Sequence, residues 1–499
     1  MVAPKHIIDK VFLEVNTCRR ETAHYLRDNI DAFLKEELFP ELEKLLASYS
    51  REKTIARVDE LKLEVSSIDW NDTEGMKNEL LQQFEEKLQE KMEFSSEISE
   101  IFPDATEVGV LKISPSQNQE TVFLYFLEKG YLPWFGNRNH IERVTEQKAW
   151  EQKLRESHFM QKMMKLMAVN EQAIERFILQ FSDETVLALL YKAIPPLVRD
   201  ASRLKEISQQ MDFRGRLFLF KFLLQSSVSE NNEKTAQTLA RLFDNLTEAL
   251  PFSWHYLTSI KREIVSMFKR TIPASLLGTE EMQTLLRDGK VHNLGRIKNN
   301  GKRSRKHDGN GKMSYRAREN VSAESDAREN EAKENGIFIQ TAGLVLLNPF
   351  LKQFFRYIGT IDEKGMMVKE KSSLAVQALH FLATGEEDFF EGNLTFSKFL
   401  CGVPLEMPVP MESLLTDFIK YEAETMLKEV IRNWPELKNT SAGGLREMFI
   451  KRDGKLVLSG VQYKLIVERR AQDILLEKLN WSVSVVKFAW LDKVLIIEW

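Results

Sequence analysis

Cysteine is nearly missing from this chain of 499 residues: Cys18 and Cys401 are its two thiols, and they stand far apart. A disulfide framework is thereby excluded, and a reducing cytoplasm is the simplest compartment. No uncharged apolar run approaches the ~20 residues that span a bilayer. The opening MVAPKHIIDKVFLEV has no long apolar core followed by a small-residue cleavage site, so no secretory signal is expected. The net charge of -4 is small for this length, which leaves no overall pull toward nucleic acid or anionic lipid. Histidine is scarce, at eight residues, and none has the spacing of a metal ligand, since HExxH and CxxC are both absent. Missing too are the G-x-S-x-G elbow, the G-x-x-x-x-G-K-S/T loop and a G-x-G-x-x-G after a strand. An enzyme is therefore not expected. No catalytic, cofactor-binding or metal-binding residue is nominated, and no small-molecule substrate.

What is present is ordinary folding material: 43% hydrophobic, 29% charged and 10% aromatic residues. That is enough to build sizeable cores. Leu26, Ile30, Phe33, Leu34 and Leu38 lie at offsets of three and four, which puts one stripe on a helix. Pro40 can open the next helix, with Leu42, Leu45 and Leu46 continuing the apolar face. In RVDELKLEV the period changes, because Leu61, Leu63 and Val65 alternate with Lys62 and Glu64, as in a half-buried strand. A helix is predicted over 74–92. From about 120 to 290 the pattern is helical, with a stop at Gly130 and a break at Pro195-Pro196. Apolar helical patterns run through FMQKMMKLM, AIERFILQF, ETVLALLYKAI, FLFKFLLQ and LARLFDNL. Between Arg296 and Arg318 there are nine Lys or Arg and one acid, Asp308. An acidic stretch follows, and apolar anchors are sparse.

The C-terminal part carries a short strand, a turn and an apolar helix in IFIQTAGLVLLNPFLKQFFRYIG. A long helix is predicted over 414–434, with Leu415, Phe418, Ile419, Met426, Val430, Ile431 and Trp434 on one side. Ser441 is a candidate helix cap, and KLVLSG and VQYKLIVERR form a hairpin around Ser459-Gly460. A helix through ILLEKL and strands in WSVSVVKFAW and KVLIIEW complete the pattern. The expected fold class is α+β and mainly α-helical: a helical middle region flanked by mixed α/β ends, with a flexible charged linker before the C-terminal domain. The expected bounds are 1–140 for an N-terminal α+β module, 141–295 for the helical middle, 296–335 for the linker and 336–499 for a C-terminal α+β domain.

A few residues invite chemistry and have plainer explanations. Cys401 in KFLCGVP could be a nucleophile, but a buried small hydrophobe beside a turn glycine accounts for it. His6, His24 and His140 read as surface or capping residues. The basic run from Arg296 to Arg318 could meet phosphates. Only Tyr315 is there for stacking, however, and the neighbouring acids compete, so nucleic acid is not an expected partner. Phe354, Phe355, Trp434, Trp481, Trp490 and Trp499 are mostly core by their spacing.

The C-terminal residues resemble the tape measure family of contractile injection systems over essentially their whole length. The matching text is TAGLVLLNPFL, FLATG, LTFSKFLCGVPLE, NWPELKNTSAGGLREMFIKRDGKL, YKLIVERRAQDILLEKLNWSVSVVKFAW and IIEW. The N-terminal part is similar to that family as well, in HIIDKVFLEV, ELFPELEKLL, RVDELKLEV and FLEKGYLPWFG. The middle and the basic stretch carry no such match. The resemblance implies a structural and assembly protein of a phage-tail-like particle that sets inner-tube length. Its implied partners are baseplate, hub or inner-tube proteins, and a homo-oligomer is left open. The expected location is the cytoplasm during assembly, with a place inside the finished particle left open; no stable membrane insertion and no cofactor is expected from the residues. A transient assembly scaffold or loading factor of the same particle is the alternative, and a nucleic-acid-associated adaptor working through the basic stretch is a more distant one.

Overall fold

The computed structural model describes residues 32–49, 55–58, 61–64, 73–101, 110–228 and 336–499 except 438, together with positions 6, 8, 11, 29 and 30. The chain forms two compact units, Met1–Val122 and Phe123–Trp499. Leu26, Val65, the LARLFDNL pattern and the charged stretch 296–335 fall outside the described residues. Among the described residues no helix is long and apolar enough to cross a membrane.

In the first unit a π-helical turn, Phe33–Leu38, runs straight into helix α1, Phe39–Tyr49. The widening has a local cause. Pro40 has no N–H to donate into the preceding turn, and the Phe39 N–H reaches back to Leu34 O. Strand β1, Ile55–Val58, pairs antiparallel with β2, Val110–Ile113. Helix α2, Thr73–Ile101, buries Met76, Phe84 and Leu88 against Phe33, Leu38 and Leu42. The strand expected around Leu61 and Leu63 is a correction: residues 61–64 carry no ladder, and the strand lies just before them. Leu61 and Leu63 still pack on the apolar cluster, so their alternation records burial without strand pairing.

The second unit opens within helix α3, Pro115–Lys129, which ends where Gly130 takes φ +78°. Helices α4 (Arg138–Thr145), α5 (Gln147–Lys153), α6 (Ser157–Val169), α7 (Glu171–Gln180) and α8 (Asp183–Ala193) follow. After the 3-10 turn Pro195–Asp200 come α9 (Ala201–Gln209) and α10 (Phe213–Val228). Asn170 caps α7 by accepting from Ala173 N, and Ser182 caps α8 by accepting from Thr185 N. Helix α10 packs on α6, α7 and α8. The interior of this helical block is aromatic: Trp150 lies 5.7 Å from Phe123 and from Phe177 and 5.8 Å from Phe159. Its indole N–H donates to Thr185 O at 3.0 Å, which removes the cost of burying the donor.

The C-terminal half is α+β. Helices α11 (Asn348–Tyr357), α12 (Ser372–Thr384), α13 (Thr395–Leu400) and α14 (Asp417–Asn433) pack with a five-stranded sheet of order β3-β4-β5-β7-β6. The strands are β3 (Ile337–Ile339), β4 (Gly454–Leu458), β5 (Tyr463–Val467), β6 (Val485–Val486) and β7 (Leu495–Glu498). Only the β5–β7 pair is parallel among these. The β4–β5 hairpin around Ser459-Gly460 is as predicted from its alternation. Two details differ. Phe418, expected on the buried side of α14, is 55% exposed, because Ile419 already faces inward in that first turn. The ILLEKL segment is a 3-10 helix, Ala471–Lys478.

Of the tryptophans expected in the core, Trp434 is buried, while Trp481, Trp490 and Trp499 are half-buried and pack against the core. Trp434 is fully buried against Phe449, 4.7 Å away between ring centres. The indole N–H groups of Trp481, Trp490 and Trp499 donate to Leu346 O, Leu400 O and the Asp473 carboxylate.

Candidate functional site: a buried ionic seam

The helical block and the C-terminal half meet along a seam whose central residue is Arg176. It sits in α7 on the face that carries Ala173, Ile174 and Phe177, so its guanidinium is carried into the interior with them. There the Nε donates to Glu391 Oε1 at 3.1 Å, and neither side chain is exposed at all. The terminal nitrogens donate to Leu127 O and to Glu406 O. Lys398, from α13, donates to the same Glu391 oxygen at 2.6 Å and to Leu405 O at 2.9 Å. Burial pushes the Lys398 amine below the ordinary lysine range, against the pull of Glu391. The second carboxylate oxygen, Glu391 Oε2, is buried with no hydrogen-bond partner.

Gly130 makes the close approach possible. A Cβ there would lie 2.6 Å from Arg176 Nη2 and 2.9 Å from Leu405 O, and its φ of +78° disfavours any side chain besides.

Residues 403–415 form an irregular strap whose backbone is satisfied by side chains from both directions. From the block, Gln180 donates to Val409 O at 2.7 Å and accepts from the Glu391 N–H at 3.3 Å. Arg216 bonds the Glu412 carboxylate and lies 3.8 Å from Asp183. From the C-terminal half, Gln377 donates to Pro410 O and Glu412 O and accepts from the Leu414 N–H. Burial raises the Asp183 carboxyl above its usual range, with Arg216 opposing. Beside these residues a cavity of about 490 Å³ opens between Phe181, Asp183, Lys205 and Phe213 of the block and Met411 and Glu412 of the strap.

Arg176, Glu391 and Lys398 are fully buried, so these three join chain segments and do not face solvent. Cys401 is likewise fully buried next to Gly402, which has φ +65°, and burial pushes its thiol far above the usual range. It is a core side chain and a poor nucleophile. His140 closes a capping box with Asn137, while His24 lies outside the described residues. Among the described residues no group of three or more His, Cys, Asp or Glu is placed to hold a metal ion.

Sequence reasoning nominated no site and did not single out Arg176, Glu391 or Lys398. The one local signal is a cation inside an apolar run, in AIERFILQF and in TFSKFL. Nothing local pairs them, because Arg176 and Glu391 are 215 positions apart.

A family model described as contractile injection system tape measure protein matches residues 5–499. No curated protein and no solved structure matches the chain.

Proposed function

The chain belongs to the contractile injection system tape measure protein family, and from that premise we propose that it serves particle assembly as a packed, non-catalytic body rather than as an extended measuring rod. The observation that carries this reading is the helical block. A rod that sets length converts residues to distance at about 1.5 Å each. The described helices of the block run from 7 to 16 residues and are folded against one another. The longest would span only about 24 Å, and α7 is further pinned to the C-terminal half through Arg176. In this reading, contacts with baseplate, hub or inner-tube proteins are made by folded surfaces and not by one continuous helix.

Two deletion and insertion strains test the proposal by electron microscopy of purified particles. Removing residues 171–210 is expected to abolish particles or leave their length unchanged. Inserting ~20 helix-forming residues after Arg318 is expected to leave length at the parental value. A rod would instead shorten by roughly 60 Å for ~40 residues lost and lengthen by roughly 30 Å for the insertion. Either proportional change overturns the packed-body reading.

A further inference from the structure

The two halves of the second unit keep separate apolar interiors. The buried cluster of the C-terminal half is drawn from residues 337–497 with Tyr131 of the helical block, and the half-buried Tyr125 of the block packs against it. Among the described residues Phe390 also reaches across the boundary, with Phe126 at 4.7 Å between ring centres and the Arg138 guanidinium 5.8 Å from its ring. Polar contacts join the halves as well: Arg176 to Glu391 and Glu406 O, Gln180 to Val409 O and the Glu391 N–H, and Arg216 to Glu412.

We propose that this seam is a latch, with the strap 403–412 as its moving contact, and that it parts as a unit to release the helical block from the C-terminal half while both stay folded.

Three observations lead there. The first is how the charges divide. Glu391 and Lys398 belong to the same half and stay paired at 2.6 Å whichever way the block goes. Of the block's charged groups at the seam, Arg176 is the one that would pass from a fully buried site to water. Rehydrating a guanidinium offsets much of what its lost hydrogen bonds contributed, whereas an apolar interface of the same size has no such compensation. The second is incomplete packing. An open cleft of about 490 Å³ separates Met411 and Glu412 of the strap from Phe181, Lys205 and Phe213 of the block, so at this end strap and block are not in close contact across it. The third is incomplete bonding: Glu391 Oε2 is buried without a partner, where a permanent core site satisfies such groups. Polar interfaces of this kind between parts of one chain are those at which relative motion is the default.

Native-state hydrogen exchange on the full chain tests the proposal. The Glu391 N–H is buried and bonded across the seam to Gln180, so it reports opening. It is expected to exchange at least ~100-fold faster than the slowest amides inside α6 and α12, as a sub-global opening requires. Peptides covering 127–131 and 403–410, on opposite sides of the seam, should speed up together. Arg176→Ala should accelerate these by a further factor of ~10 or more and leave α6 and α12 unchanged. The latch is overturned if the Glu391 amide exchanges as slowly as the core amides. It is equally overturned if the Arg176 variant speeds all regions in parallel, the mark of one cooperative unit. Should that variant fail to fold, the ranking in the parent chain decides alone.

Discussion

His380 is buried in α12, within 3.3 Å of Asp388 O and 3.4 Å of Thr384 Oγ1, with the Phe389 ring edge-on at 5.7 Å. Burial holds its imidazole below the ordinary histidine range. The unfolded chain therefore takes up a proton near pH 6.5 while the folded chain resists it until lower pH. In that window the unfolded state binds more protons, so stability rises with pH. The contribution of His380 is complete above about pH 7 and is lost as pH falls through about 6.5 toward the folded value. Melting curves of the parent should drop between pH 7 and pH 5, and those of His380→Gln should drop less over the same interval. Equal slopes would remove His380 from the account. Gly343 gives a sharper test of geometry. A Cβ there would meet Phe449 O at 1.7 Å and Ile450 Cα at 2.7 Å. Both are backbone atoms that cannot swing aside, so Gly343→Ala should destabilise by about 3 kcal/mol, a large share of the ~5–15 kcal/mol that holds a domain. Denaturant titration measures it, and a loss under about 1 kcal/mol would mean that the turn at 342–347 shifts freely.

At the scale of elements, the last strand is the informative one. Strand β7 lies between β5 and β6, parallel to the first and antiparallel to the second. It buries Leu495 and Ile497, and Trp499 follows it, donating to Asp473 with the Arg452 guanidinium 5.9 Å from its ring. Deleting 495–499 from the full chain strips ladder bonds from two neighbours, and Leu495 alone should account for about 2–5 kcal/mol. A thermal scan with an unchanged transition would show that the strand is dispensable. Helices were the most legible elements in the sequence. In α6, α7, α8 and α10 a three-and-four spacing has one physical explanation, a face turned to a core. Strands were less so. Leu61 and Leu63 alternate as a strand would, yet alternation fixes only which side is buried, and the ladder partner at Val110–Ile113 was invisible from either segment. The junction was less legible still. Arg176 looks like an ordinary polar position in an amphipathic helix, and its meaning depends on Glu391, whose distance in sequence erases any local signal.

For the whole molecule, membership of the tape measure family and a folded helical block have to be reconciled. In the proposed reading, the described helices of the block, none longer than 16 residues, do not set length residue by residue, so the particle-length experiments bear on mechanism while leaving family membership untouched. The separation between Arg176 and Glu391 also has a consequence in time. A ribosome adding about 5–20 residues per second needs about 10–40 s to cover the 215 positions between them. Through that interval the nascent chain has neither Glu391 nor the strap, and of the Arg176 acceptors named above only Leu127 O has been synthesised. In every chain, therefore, the bond from Arg176 to Glu391 can form only after translation has passed Glu391, later in synthesis than any contact made within the block.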